Sequence, residues 1–452
     1  MEDYIKVNKS KLFYNFTNIK NKPIYADFIA SGQPSPIIDN YIIKNVYPYY
    51  SNTHSNASNG IQMKNLIQDS RQYIKQYFNL DDDYDIIFSG NGTTGAINHL
   101  VNSIDYTLYE NVDIFISSYE HYSNHLPWVE LTKSYPQVKL HIIPFNLLDQ
   151  LDLSWFENKI NNLYRIQNNT PNIKNLIITS IIHCSNVNGL FTPIEHIQDI
   201  LDKYTNKNIT KFFFTDFACS APYVNLNGQL FDAIFFSPHK FIGGTSTPGI
   251  LIAKKNLFMK KTPYCPGGGC VLKFNNSNII YQTDIEKRES AGTPNIVGII
   301  KIKQILILKN ACEHLIVTNE HILHNILVIT IKYLKNKYDN FIPIMFNYSN
   351  DNYSLPILSF YLKNVHYNLI VAIFSDYYKI QTRGGNSCCG LLSDHMKNKY
   401  NIDGWCRISF HWSMSENEIF YILGSLENII NNHEKYIDLY KYDPETNLYI
   451  KK

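Results

Sequence analysis

Short apolar runs alternate along this chain with longer stretches in which apolar residues recur at helical spacing. From position 85 the alternation is regular. Seven runs, at 85–88, 112–116, 138–143, 176–181, 212–216, 232–236 and 249–253, have the length and the β-branched or aromatic content of buried strands. Between them the spacing predicts helices over about 96–104, 124–133, 155–164 and 193–204. Repeated strand–helix units of this size imply an α/β fold, a mostly parallel seven-stranded sheet with helices on both faces. Upstream, residues 23–28 read as a strand entering a turn region at Gly32, Pro34 and Pro36. Residues 51–56 read as a polar loop, and about 62–78 as a helix.

The pattern changes after Gly292-Thr293-Pro294-Asn295. Residues 296–335 read as mostly helical, 342–346 and 355–362 as strands, and 368–374 as a helix. A loop of glycine and cysteine follows, then a strand at 405–411 and a helix at 416–432. This is a smaller α+β unit. The expected division is a large domain over 26–295 and a small domain formed by 1–25 and 296–452, which carries the glycine–cysteine loop.

Composition acts mainly by exclusion. A chain of 452 residues is too long for one ordinary core. A net charge of +2, with no dense Lys/Arg block, gives no basis for nucleic-acid binding. The start, Met1-Glu2-Asp3-Tyr4, has acid where a secretion signal has base, and no uncharged apolar run is long enough to span a bilayer. The eight cysteines show no Cys-x-x-Cys pair and no metal-type spacing with histidine. No metal is expected, and a reducing cytoplasm is the expected setting.

Candidate chemistry collects at the ends of the predicted strands, where such sheets bind ligands. Phe235-Phe236 runs into Ser237-Pro238-His239-Lys240, and Gly243-Gly244-Thr245 follows. A lysine beside hydroxyl, imidazole and bare backbone N–H groups suits pyridoxal phosphate (PLP). Its aldehyde forms a Schiff base with a lysine, and its phosphate needs several donors. Asp216 closes an aromatic strand, where it either pairs with a protonated pyridine nitrogen or caps a helix. Gly92-Thr93-Thr94 offers backbone N–H groups and hydroxyls to a phosphate, although plain loops read the same way. His121 either stacks on a flat ring or is an ordinary strand-end histidine. Asn186 either donates to a ring hydroxyl or a substrate carboxylate, or belongs to a plain Asn-Gly turn.

Taken in order, Gly92-Thr93-Thr94, Glu120-His121, Ser185-Asn186-Val187-x-Gly189, Asp216-x-Ala218, Ser237-x-His239-Lys240 and Ala291-Gly292-Thr293-Pro294-Asn295 resemble the class V aminotransferase superfamily of fold-type I PLP enzymes. Within it the chain looks most like the cysteine desulfurase and selenocysteine lyase branch, from about Asp27 to the final helix. The resemblance implies that Lys240 forms the Schiff base, Asp216 pairs with the pyridinium and His121 stacks on the ring. It implies that Thr94, Ser237 and His239 hold the phosphate, with Gly92, Thr93 and Asn186 in the same cofactor-binding set. Thr293 matches a position that reaches the phosphate of the other subunit's cofactor, so a homodimer is implied. Arg407 matches the arginine that grips the substrate carboxylate, a role that suits a planar guanidinium. Asn186 and His54 are the further substrate contacts.

In such desulfurases a cysteine on the equivalent of Arg383-Gly384-Gly385-Asn386-Ser387-Cys388-Cys389-Gly390 takes the substrate's sulfur as a persulfide. Cys388 lies at the matching distance from Arg383. The other reading makes Cys388 and Cys389 packing residues. The chain departs from the branch at Cys219, where glutamine is usual, and in a longer loop over 243–249. The implied activity removes sulfur from L-cysteine to give alanine and a persulfide on Cys388, with a protein sulfur acceptor as a further partner. The alternatives are another class V PLP enzyme (aminotransferase, selenocysteine lyase, other β-lyase or epimerase) or a non-catalytic scaffold.

Overall fold

Most of the apolar runs become buried strands. The structure, a computed structural model, describes residues 12–13, 23–168, 173–204, 206–275, 278–345 and 353–452. They divide into a larger unit, 12–13, 32–183 and 192–311, and a smaller one, 23–31, 184–191 and 312–452.

In the larger unit seven strands form one sheet: β1 (Tyr84–Ser89), β2 (Asn111–Ser117), β3 (Val138–Ile143), β4 (Asn175–Ile182), β5 (Ile209–Asp216), β6 (Ala233–Phe236) and β7 (Gly249–Lys254). Their order across the sheet is β1-β7-β6-β5-β4-β2-β3. Only β7 runs against the others. The C-terminal ends of the other six therefore lie along one edge. Ile182, Asp216 and Phe235 are register partners on β4, β5 and β6, so these three ends are level.

The helices of this unit are α1 (Pro36–Asn45), α2 (Ser58–Tyr77), α3 (Gly92–Ser103), α4 (Tyr122–Ser134), α5 (Leu153–Asn168), α6 (Ile194–Lys203), the single turn α7 (Ile285–Arg288) and α8 (Ile296–Ala311). The dividing line differs from the expected one in four places, the first being residues 12–13, which join the larger unit. Residues 296–311 join the larger unit because Ile296, Ile299 and Ile300 of α8 bury against Ile42 of α1, Val46 at its C-cap, and Met63 and Ile67 of α2. Residues 26–31 join the smaller unit because Ala26 N–H donates to Gln381 O and Ala26 O accepts from Ser409 N–H. Residues 184–191 do so because Leu355 N–H donates to Gly189 O and Ser359 Oγ to Val187 O.

Two hairpins are absent from the sequence reading. The strands β8 (Val271–Asn275) and β9 (Asn278–Tyr281) pair antiparallel and leave Val271, Leu272, Phe274, Ile279 and Ile280 exposed. In the smaller unit a sheet of β10 (Phe341–Pro343), β11 (Ile357–Leu362), β12 (Arg383–Gly385) and β13 (Trp405–Ser409) has the order β10-β11-β13-β12. Phe346, the expected end of the first of these strands, lies outside the described residues. The helices here include α9 (Glu313–Lys337), α10 (Tyr367–Tyr378), α11 (Gly390–Tyr400) and α12 (Glu416–Asn432). The chain then continues past the expected final helix into the second hairpin, β14 (Tyr440–Asp443) and β15 (Leu448–Lys451). No helix among the described residues is long and apolar enough to cross a membrane.

Candidate active site

Most of the sequence-selected residues of the larger unit gather at the C-terminal edge of its sheet. After β6 the chain makes one tight turn over Pro238–Lys240. Gly32 N–H braces it by donating to His239 O at 2.9 Å. A side chain at Gly32 would meet Phe241 O at 2.0 Å. Burial, with the Lys240 charge adding to it, lowers the His239 pKa to about 4. The ring is therefore neutral near pH 7 and keeps one N–H to donate.

Gly92-Thr93-Thr94 belongs to the first turn of α3 rather than to the loop the sequence predicts. Gly92 has φ +60°, and a Cβ there would sit 2.7 Å from Ser237 Oγ. This close approach lets Thr93 N–H donate to Ser237 Oγ at 2.8 Å, with Thr93 Oγ1 also 2.8 Å from it. Thr94 Oγ1 lies 2.6 Å from Ser123 Oγ, which is 3.0 Å from His121 Nδ1. His121 Nδ1 also accepts from Ser123 N–H, capping α4. Its other nitrogen, Nε2, then carries the proton in the neutral ring. Hydroxyls and a helix start of this kind suit a phosphate. Ser123 is the link the sequence reading missed; a hydroxyl two residues after a strand-end histidine is the available signal.

Asp216 is 2% exposed, and its carboxylate accepts one hydrogen bond among the described residues, from Ala218 N–H at 3.0 Å. Burial pushes its pKa up to about 6, while the Ala218 donor and the Lys240 charge pull it down. A buried carboxylate with one neutral donor and Lys240 within electrostatic reach suits a cationic N–H partner. Nearby lies a second buried carboxylate, Glu120. It accepts from Ser117 N–H (3.3 Å), Ser117 Oγ (2.6 Å), Ile182 N–H (2.8 Å) and Asn124 Nδ2 (2.7 Å). Asn124 is fixed in turn, because Trp128 Nε1 can only donate to its Oδ1 and Ser180 O can only accept from its Nδ2.

Burial, against the pull of these donors, raises the Glu120 pKa to about 8, and the Asp216 charge adds to the push. Folding then takes up a proton between the ordinary carboxylate range and about 8, so stability falls as pH rises across that window. Glutamine at 120 has no orientation that avoids setting its NH2 against a donor. Glu120→Gln is therefore expected to cost about 1–3 kcal/mol in urea unfolding below that window, and the deficit should shrink as pH rises because the variant lacks the fall of stability with pH.

His54 and Thr293 have further neighbours of their own. Asn52 Nδ2 donates to Thr293 Oγ1 at 3.2 Å. His54 lines a cavity of about 670 Å³ with Arg71, His99, Cys265, Glu289 and Gly292, and neither Lys240 nor Asp216 contributes to its walls. His183, which the sequence reading passed over, ends the larger unit's 32–183 segment with Nδ1 2.9 Å from Ser220 Oγ. Burial lowers its pKa to about 4.

In the smaller unit Arg407, on β13, is 1% exposed. Its Nη2 donates to Asp27 Oδ1 at 2.7 Å and its Nη1 to Asn186 O at 3.0 Å, while Nε is buried with no acceptor among the described residues. Asp27 Oδ2 also lies 3.4 Å from Arg383 Nε, and Arg383 and Arg407 are register partners on β12 and β13. Two guanidiniums share one carboxylate, so the cluster keeps positive charge and a spare N–H for an anion. Asp27 as the partner of Arg407 was not anticipated, although a carboxylate closing an apolar strand is the same signal that singles out Asp216.

Cys388 lies past β12 in a defined turn rather than a loose loop. Ser387 and Cys388 both have positive φ, 55° and 58°. Cys388 is exposed, and its N–H donates to Asn386 Oδ1 at 3.1 Å. Cys389 is buried at the start of α11. The amide of Asn186, expected at a cofactor or a substrate, is held within this unit: Nδ2 donates to Ser387 O at 2.9 Å, and Oδ1 accepts from Cys389 Sγ at 2.9 Å.

The chain matches the model of the aminotransferase class-V family over residues 24–422. It belongs to that family. A cysteine desulfurase of Wigglesworthia glossinidia brevipalpis is 32% identical over 420 residues, 90% of this chain and 93% of the relative. A probable cysteine desulfurase of Borreliella burgdorferi is 28% identical over 90% of this chain and 92% of its own. Among solved structures, the apo cysteine desulfurase of Thermococcus onnurineus superposes with TM-score 0.75 at 22% identity, covering 91% of this chain and 95% of that one, a likeness of fold. Class-V enzymes use PLP. In this class-V chain the Gly92–Thr93–Ser237 donors and the buried Asp216 carboxylate fit the phosphate and the ring nitrogen of that group.

Proposed function

We propose that this chain is a PLP-dependent cysteine desulfurase that removes sulfur from L-cysteine, releases alanine and holds the sulfur as a persulfide on Cys388. The observation that carries the sulfur-accepting part is an exposed thiol, Cys388, presented just beyond the strand that pairs with the Arg407 strand. An aminotransferase has no use for a thiol in that position.

When bound, PLP supplies an aldehyde for the substrate amine and an electron sink for the electrons released at Cα. Lys240 would hold it covalently. The Lys240 Nζ amine would be the base that takes the substrate's Cα proton and returns one to the product. Asp216 would hold the proton on the ring nitrogen, His121 would face the ring, and Gly92, Thr93, Thr94, Ser237 and neutral His239 would hold the phosphate. Arg407 binds the substrate carboxylate through the N–H groups that Asp27 and Asn186 leave over. Cys388 Sγ attacks as the thiolate; an S–S bond forms as the substrate's C–S bond breaks. The balance is L-cysteine plus Cys388–SH giving alanine plus Cys388–S–SH.

The reading includes a cytoplasmic setting, a protein thiol as final sulfur acceptor, and a homodimer. The apolar surface of the β8–β9 hairpin supports the dimer. The test is product analysis. Protein reconstituted with PLP should release alanine and sulfide in equal amounts from L-cysteine under reducing conditions. A keto acid in place of alanine would reassign it as an aminotransferase, and turnover of selenocysteine alone as a selenocysteine lyase.

A further inference from the structure

Asn186 sits at a junction. Its backbone is fixed inside the smaller unit, since Ser185 N–H donates to Leu190 O and Ser359 Oγ holds Val187 O at 2.6 Å. Gly189, with φ +71°, packs so tightly that a Cβ would meet Leu355 O at 2.2 Å. On this fixed base Asn186 makes three contacts. Its carbonyl accepts from Arg407 Nη1, its Nδ2 donates to Ser387 O, and its Oδ1 accepts from Cys389 Sγ.

The assignment of atoms follows from chemistry. Ser387 O can only accept, so it faces the NH2 of Asn186, and Oδ1 therefore faces Cys389. Sγ must donate there, so Cys389 keeps its proton. The two neighbouring cysteines are thus unlike: Cys388 is exposed, and Cys389 is a buried thiol whose proton is engaged. The turn between them needs holding. Two successive residues at positive φ without glycine persist only where surrounding contacts enforce them. The contacts include the Asn186 amide on Ser387 O, Trp405 Nε1 on Ser387 Oγ at 3.1 Å and Cys388 N–H on Asn386 Oδ1, and Cys389 Sγ also lies 3.5 Å from Ser387 O.

We infer that Asn186, latched to the Cys389 thiol and the Ser387 carbonyl, is a positioning residue that holds the turn presenting Cys388 and ties it to Arg407. The inference rests on the desulfurase reading only for what Cys388 does; the latch itself does not depend on it. It gives Cys389 a task as hydrogen-bond donor and excludes it as the sulfur acceptor.

Cys389→Ala and Cys389→Ser test it, each checked for folding by circular dichroism. Labelling of Cys388 by iodoacetamide, read by peptide mass without substrate, reports the turn. Steady-state alanine release reports the chemistry. Alanine at 389 removes one donor, so Cys388 labelling should rise and kcat fall, each by about three- to tenfold, with KM for cysteine within about twofold of the parent. Serine restores a donor and should return both to within about twofold of the parent. Unchanged labelling and kcat in Cys389→Ala would overturn the latch. So would equal damage from alanine and serine, because the sulfur of Cys389 would then be acting chemically. If the parent makes no alanine while labelling responds as stated, the functional reading fails and the latch stands.

Discussion

Lys240→Ala is expected to give a folded protein that forms neither alanine nor sulfide from L-cysteine. Loss of the proton-transfer role alone should lower kcat by about 10²–10⁴-fold, and loss of the covalent attachment adds to it. The lysine is carried on a short turn braced by Gly32, so removing its side chain leaves the backbone contacts in place. The melting temperature should change little. PLP added to the variant should still be retained at the phosphate donors but give no lysine adduct after borohydride reduction. Measurable turnover would show that Lys240 is not the reacting amine.

The second large effect belongs to Cys388→Ser. A serine hydroxyl at an exposed turn has the size of the thiol without its nucleophilicity, so sulfide release should fall at least about a hundredfold. The large-unit site is untouched, so lysine adduct formation with PLP should match the parent. Full activity in this variant would transfer the reading to a class V enzyme that needs no thiol. The two variants thus separate failure of the cofactor chemistry from failure of the sulfur transfer.

Most of the sheet was legible because its inner strands are buried on both faces and read as mainly apolar runs, as in β4, where Leu176 to Ile182 are all buried. Residues at the ends of such runs are conspicuous, and Asp216, Ser237 and Lys240 could be singled out this way. The start of α3 was less legible. Gly92 enters its helix with a positive φ, and glycine followed by two threonines carries no helical signal. The division into units was misplaced at both ends of the large domain, because contacts decide it and periodicity does not report them. The role of Asn186 was hidden for a similar reason. Its amide partners, Ser387 and Cys389, lie some two hundred positions away in the chain. Both missed hairpins have exposed or mixed strands, which lack the apolar continuity that marked the sheet.

The Glu120 donors come from the end of β2, the first turn of α4 and the end of β4, three segments that the polypeptide alone holds in place. That arrangement makes the floor of the socket self-supporting. Stripping the protein of its prosthetic group and reloading it should therefore be a reversible exchange into a standing frame, without a refolding step in between.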